Sequence, residues 1–533
     1  MAEQFINGSI AAPGFSGLNT QDSSVQLSSG FALKADNCVI DRYGRIGARK
    51  GWEKINSTAA STGAFKTIFE FVKPDSNVVI SAANNKLYTG TATLTEATIR
   101  NSDNTGDLSY TIADDNWQVV GLPYGIGVSE TSSHAVLVQK DHPVLVYHKL
   151  GSTAHAHTGS YGFQRLGDVG NLPAVHTVTS FKPNCALSAY GRLWAGGQVD
   201  DPQTVYFSDL QNPSEWQTGT SGYLDISAVI PTGDPITALA QYNNFLVIFC
   251  RRSIVIYSNA DDPSVMRLSD VITGVGCIAR DSVQAVGGTD IFFLSETGVQ
   301  SLLRVIQEKS LPFRDVSKNV RDTLLSDVIG EDEDNIKAVY YAADAFYLLA
   351  LPSTGNTYCF DTRAALDNGA ARATIWRDIN PTSFCVLADR TLYVGQEGYI
   401  GRYYGQDDNG SSYRMAYYTN YFDMGNPTAL KILKKINFIT IGGSEQALII
   451  KWGYDYTDNY NSGTVVLATQ EVSEYGIGEY NIATYNNGIV LDTAQMQTSG
   501  SGKVVQLGFE SDIDGTPLSV QKIDFSIKMG KNI

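Results

Sequence analysis

Short apolar phrases that end at Gly, Asn or Asp recur along most of this chain, and they constrain its fold more than any other feature. Examples are "NKLYTGTATL" (85–94), "HAVLVQKDHPVLVYHK" (134–149), "YGRLWAGG" with "QTVYFSD" (190–197, 203–209) and "NNFLVIFCRRSIVIYSN" (243–259). Further on come "GGTDIFFLSETGVQSL" (287–302), "DAFYLLALPSTGNTYCFDT" (344–362) and "DRTLYVGQEGYIGRYYG" (389–405). Each reads as two strands joined by a tight polar turn, the pattern of a β-hairpin. Their starts fall roughly every 45 to 55 residues, the period of four-stranded propeller blades, so a propeller is preferred over stacked sandwiches. The continuous apolar runs read as the inner strands of each blade, buried on both faces.

Composition agrees: 50 Gly and 29 Tyr beside 6 Met favour turns and pleated surfaces over helices. One segment breaks the rhythm. "RDVSKNVRDTLLSDVIGEDEDN" places Val316, Val320, Leu324 and Val328 on one helical stripe, read as a packing element or a strut between subunits. Beyond Tyr404, "GQDDNGSS" (405–412) reads as a linker, and five strand-like runs follow it. The expected fold is all-β: a β-propeller with an N-terminal arm and hairpin, one short helical insertion and a C-terminal β-sandwich-like domain. The expected divisions are 1–65 for the arm and hairpin joining the propeller, 66–411 for the propeller and 412–533 for the sandwich.

The balance of 55 acidic against 39 basic residues, a formal charge of -16, should repel polyanions, which argues against a tight nucleic-acid surface. Six scattered cysteines (Cys38, Cys185, Cys250, Cys277, Cys359, Cys385) read as buried thiols from a reducing cytosol rather than disulfides. The first residues lack the basic and apolar regions of a secretion signal, and no window reaches the ~18 apolar residues of a membrane span.

Chemistry-bearing motifs are sparse. His155 and His157 in "HAH" have ligand spacing for Zn, but no carboxylate or third histidine lies nearby in sequence, and a solvated loop is the preferred reading. "SDLQNPSEW" (208–216) resembles a bracing turn of sialidase propellers, and "DIDGTP" (512–517) a β-turn rather than a calcium loop. "EDED" (331–334) reads as a solvated face. Tyr340, Tyr341, Tyr347, Tyr403, Tyr404, Tyr417, Tyr418 and Tyr421 could stack on sugars or bases, yet in strands such residues mostly pack across the sheet. The expectation is a non-enzyme with no catalytic, cofactor or metal-binding residues.

The stretch "NTQDSS … ALKADNCVIDRYGRIGARKGW" resembles the start of tail proteins from short-tailed bacteriophages. The shared pattern falls on Asn37, Asp41, Gly44, Arg49 and Gly51. "VYFSDLQNPSEW", "KKINFITIGG … LIIKWGYDY" and "GFESDIDGTPLSVQKIDFSIKMGK" are similar to later parts of the same family, in the same order. The resemblance implies a tail nozzle, or tail tubular protein, like those of T7-like phages and the tail hubs of P22-like phages. It implies a homo-hexameric ring in the virion tail, assembled in the host cytoplasm. Its implied partners are the portal and adaptor proteins, tail fibres or spikes, indirectly the host cell envelope, and viral DNA that passes through the lumen without sequence-specific binding.

Two other readings compete: a receptor- or glycan-binding propeller at the tail tip, and a propeller glycosidase. The basic stretch "NCVIDRYGRIGARKGWEKI" (37–55) reads as a hairpin with Gly44 in its turn, and Arg49 is expected to pair with a carboxylate, with Asp41 across the hairpin as the candidate.

Overall fold

The computed structural model describes residues 5–57, 59, 63–73, 76–124, 132–150, 159–173, 181–310, 315–468 and 491–532. The protein is all-β, a β-propeller joined to a C-terminal β-sandwich. Among the described residues the propeller has seven blades, whose first strands are Thr67–Val72, Gln118–Tyr124, Cys185–Ala189, Ile236–Tyr242, Gln284–Val286, Lys337–Tyr341 and Ser383–Val386. Neighbouring blades touch through these first strands and the Arg280–Ser282 turn, and the last touches the first, so the ring is closed.

Six of the seven phrases singled out in the sequence form hairpins, but as the second and third strands of a blade rather than the innermost; "NKLYTGTATL" holds only the third strand of the first blade, Lys86–Thr89, whose partner Asn77–Ala83 precedes it. The fourth blade shows why. Its middle strands Phe245–Cys250 and Ser253–Ser258 are buried almost throughout. Its first strand, Ile236–Tyr242, is partly open, and its outer strand, Arg267–Thr273, is mostly exposed. Middle strands are covered on both faces by the adjacent blades, whereas a first strand borders the axis and an outer strand borders solvent. The buried side chains accordingly fall into layers between blades: Trp194 and Val205 against Ile248 and Val255, for example, or Phe249 against Phe293 with ring centroids 5.0 Å apart. Each such side chain contributes about 1.5–3 kcal/mol by leaving water.

The fifth blade has three strands, and the helix Leu302–Glu308 follows where a fourth would lie. The expected helical stripe forms next: Lys318–Val320 is a 3-10 turn and Arg321–Ile329 an α-helix, and Val316, Val320, Leu324 and Val328 are all buried in the core shared by blades and sandwich.

The sandwich stacks two sheets. One contains Leu491–Gln497, Ala429–Gly442 and Leu518–Asn532; the other contains Tyr413–Phe422, Val505–Ile513, Ala447–Tyr454 and Asn461–Val466. Phe438 meets Phe509 between them at 5.4 Å, and Phe422 meets Phe525 at 5.3 Å.

The N-terminal segment departs from expectation. Phe5–Ala11, Cys38–Ile40 and Ile46–Ala48 extend the first sandwich sheet, and Phe31–Asp36 extends the second. Trp52–Lys54 joins the propeller as the outermost strand of the seventh blade beside Ile400–Tyr403. The reason lies in edges. A sheet edge with unpaired N–H and C=O groups is satisfied by any strand the chain can bring to it, however distant in sequence. One backbone bridge, Asp36 to Ile375, also fuses the second sandwich sheet to the sixth blade.

Candidate functional site

Three of the five signature residues, Asn37, Arg49 and Gly51, meet where propeller and sandwich join, and Asp41 and Gly44 shape the hairpin turn that lies between them in sequence. The hairpin forms as expected, with Cys38–Ile40 against Ile46–Ala48. Asp41 closes its turn by accepting from the backbone N–H groups of Tyr43 (2.8 Å) and Arg45 (2.9 Å), and Gly44 has φ +74°. A Cβ on Gly44 would lie 2.6 Å from Pro13 Cα, so any side chain there strikes the N-terminal segment.

Arg49 does not pair with Asp41. It reaches Asp408 instead, with Nη1 donating to Oδ1 at 2.8 Å and Nη2 to Oδ2 at 2.6 Å. Asp41 takes Arg45, whose Nε lies 2.6 Å from it. The segment 405–412 is therefore no loose linker, because Asp408 supplies the carboxylate. Arg49 is fully buried and uses all five N–H donors: Nε donates to Asn37 Oδ1, Nη1 also to the Lys50 carbonyl and Nη2 also to the Arg377 carbonyl. Its plane stacks 4.0 Å from the Tyr413 ring, and the Tyr413 hydroxyl donates to the Arg49 carbonyl. Asn37 sits at φ +54° and donates to the Arg414 carbonyl and to Asp378 while accepting from the Arg377 N–H. At Gly51 a Cβ would lie 1.7 Å from the Asp407 carbonyl oxygen, so the loop carrying Asp408 passes only over a glycine.

A second constellation closes one end of the propeller axis. Arg280 and Asp281 precede the fifth blade, Lys337 opens the sixth, and Asn116 precedes the second. Arg280 Nε donates to Asp281 at 2.8 Å and its Nη2 to Asn116 Oδ1 at 2.9 Å; Lys337 Nζ donates to both Asp281 and Asn116. Burial opposes the charge on Asp281, but Arg280 and Lys337 outweigh it and hold its carboxyl well below the usual carboxylate range. Burial also lowers the pKa of Lys337, against the pull of Asp281. A cavity of about 210 Å³ lies against this network, bordered by Lys66, Trp117 and Gln284, and a more apolar one of about 500 Å³ opens along the axis past Phe69, Tyr340 and Phe384. The polar groups satisfy one another, so the network ties blades together. Nothing in the sequence pointed to it, since its members lie in three distant segments, each of which reads alone as the edge of a strand.

Other candidates resolve as structure. Tyr341, Tyr347, Tyr403, Tyr417, Tyr418 and Tyr421 are buried in packing, and Tyr404 is 38% exposed. Asp209 braces its turn by accepting from Thr220, and Trp216 is buried beside it. Part of the acidic run is bonded rather than solvated, with Glu333 accepting from Arg251 through both oxygens at 2.7 Å. His134 and His148 stack inside the second blade at 5.0 Å, while His155 and His157 lie outside the described residues. Among the described residues no three His, Cys, Asp or Glu side chains converge to hold a metal ion.

No family model and no curated protein matches the chain. Similar solved structures include PorZ, an essential surface component of the type-IX secretion system of Porphyromonas gingivalis (14% identity, TM-score 0.32, 66% of this chain). The chain spans 37% of the length of PorZ. Others are the WD40 domain of Neurospora crassa Pan2 (9% identity, TM-score 0.35, 67% of this chain and 96% of that one) and the extracellular domain of the putative one component system BT4673 from B. thetaiotaomicron (15%, TM-score 0.26, 63% and 39%). These likenesses are distant and do not bear on function.

Proposed function

We propose that the chain is a structural subunit of a short-tailed phage tail, a nozzle-type protein that forms a hexameric ring between the portal and adaptor proteins and the tail tip and encloses the path of DNA ejection. The observation that carries this reading is the joint. Asn37, Arg49 and Gly51 join a propeller to an additional β domain, while Asp41 and Gly44 shape the hairpin turn between them in sequence; such a two-part architecture is what the resemblance implies.

The axial cavities support the same reading from another side. At about 30 Å³ per water, a 210 Å³ space holds a few solvent molecules and no duplex. DNA would therefore pass between subunits around a ring axis, not through one propeller. A lumen formed from chains of charge -16 would attract phosphates weakly, since each phosphate neutralised by Lys or Arg adds a salt-sensitive attraction that slows transit. Tail fibres or spikes would attach to the outside of such a ring.

The test is the purified chain in mass photometry and negative-stain imaging. Six-fold rings with an open centre are expected, and a protein that stays monomeric at micromolar concentration, alone and with its adaptor, would sink the reading.

A further inference from the structure

The outer face of the second sandwich sheet carries four tyrosines, of which Tyr418 and Tyr421 are buried against Tyr460 and Tyr456. Tyr418 and Tyr460 meet at 5.0 Å between ring centroids, and Tyr421 and Tyr456 at 4.4 Å. The strands beneath are hollowed to seat them. A Cβ on Gly508 would lie 2.6 Å from the Tyr418 ring, and one on Gly453 would lie 2.9 Å from the Tyr460 ring.

Tyr456 is the outlier. It follows Asp455 at the second central position of a tight turn closed by Thr457 N–H donating to the Tyr454 carbonyl at 3.1 Å, and both central residues are left-handed, with φ +50° and +60°. Such turns favour Asn-Gly or Asp-Gly, and a bulky residue in the second place is strained. Tyr190 is left-handed too, but it packs between the third and fourth blades, which offsets the cost. Tyr456 has less compensation: one side meets Tyr421, but 52% of it faces solvent. Strain kept without burial points to a use for the exposed ring.

Polar groups surround the rings. Tyr460 Oη donates to Gln506 at 2.6 Å, Tyr418 Oη donates to Glu510, and Lys34 Nζ lies 5.6 Å from the Tyr418 centroid. Asp458 and Asn459 are exposed in the same loop. The exposed Tyr456 ring, with Asp458 and Asn459 exposed in the same loop, suits a pyranose, which lays its C–H face on an aromatic ring by dispersion and needs hydrogen-bond partners for its rim of hydroxyls.

We propose that Tyr456, with Tyr460 and the adjoining loop, is a binding platform for a neutral hexopyranose chain. The site lies within one subunit and does not depend on ring formation.

The test is saturation-transfer NMR on the full-length protein with maltohexaose, cellohexaose and mannohexaose in turn. Transfer to the ring protons of at least one is expected, titrating in the millimolar range. Tyr456→Gly, which relieves the strained turn, should keep the melting temperature and weaken binding about tenfold, a loss of about 1.4 kcal/mol. Tyr456→Phe should bind as the parent does. Silence from all three sugars, or equal binding by the glycine variant, overturns the proposal. So does a glycine variant that changes only subunit mass, which would make the patch an interface. Monomers that still bind sugar would sink the ring and leave this site standing.

Discussion

Arg49 is held by five hydrogen bonds and an aromatic face, so its replacement reports on the joint directly. Lysine keeps the charge but not the planar fork, and it leaves Asp408 and two carbonyls short of donors. Arg49→Lys is expected to cost about 2–4 kcal/mol, because buried acceptors lose their donors at about 1–3 kcal/mol each. Asp41→Asn keeps the turn-closing oxygen, loses the ion pair with the buried Arg45 and should cost less, about 1–2 kcal/mol. Urea unfolding of both variants separates the two, and equal losses would contradict the assignment of Asp408 as the partner. Asp281 makes a prediction about pH. Its folded pKa lies below its unfolded value, so its contribution is complete above about pH 4 and is lost as pH falls through the folded value. Asp281→Asn strands Arg280 and Lys337 and should lower stability by about 3–5 kcal/mol at pH 7. That gap to the parent should narrow below about pH 4 in thermal scans.

At the scale of elements, the N-terminal segment belongs to both halves of the molecule. Removing residues 1–50 deletes strands from both sandwich sheets but spares Trp52–Lys54, the strand that completes the seventh blade. Trypsin should then cut the sandwich rapidly while the propeller, 52–403, resists, as followed by mass spectrometry of the fragments. Glu53→Pro should do the reverse, opening the seventh blade, because proline cannot donate to the ladder with Arg402. These elements also mark what could be read from sequence. "NNFLVIFCRRSIVIYSN" announces its hairpin because both strands and their turn are contiguous, and Asn243 and Asn244 take the positive φ that such a turn needs. The stripe from Val316 to Val328 was legible for the same reason: its period is local. The pairing of Phe5–Ala11 with Leu518–Asn532 was not, since it depends on an edge left open by strands five hundred residues away in the chain. Likewise the sequence shows that Arg49 needs a carboxylate, but only folding chooses Asp408 over the nearer Asp41. Tyr456 escaped notice because its signal is a backbone angle, which no residue pattern displays.

For the whole molecule, charge sets the terms of assembly. In the proposed ring, six chains of -16 would repel one another, and at low ionic strength that repulsion would reach about 30 Å, far enough to act between most surfaces of neighbouring subunits. Near 0.15 M salt it is screened beyond about 8 Å, which leaves apolar and hydrogen-bonded contacts to decide the outcome. Assembly should therefore strengthen with salt: the ring fraction in mass photometry is expected to rise at least severalfold between about 10 mM and 150 mM NaCl at fixed protein concentration. Interfaces held by complementary charge would respond in the opposite direction, since screening weakens attraction as well as repulsion. A ring fraction that falls across that range would thus show that opposite charges are paired between subunits in spite of the net acidity. The variant Arg49→Lys provides the internal control, because its buried defect lies inside one subunit and should change thermal stability without reversing the sign of the salt response.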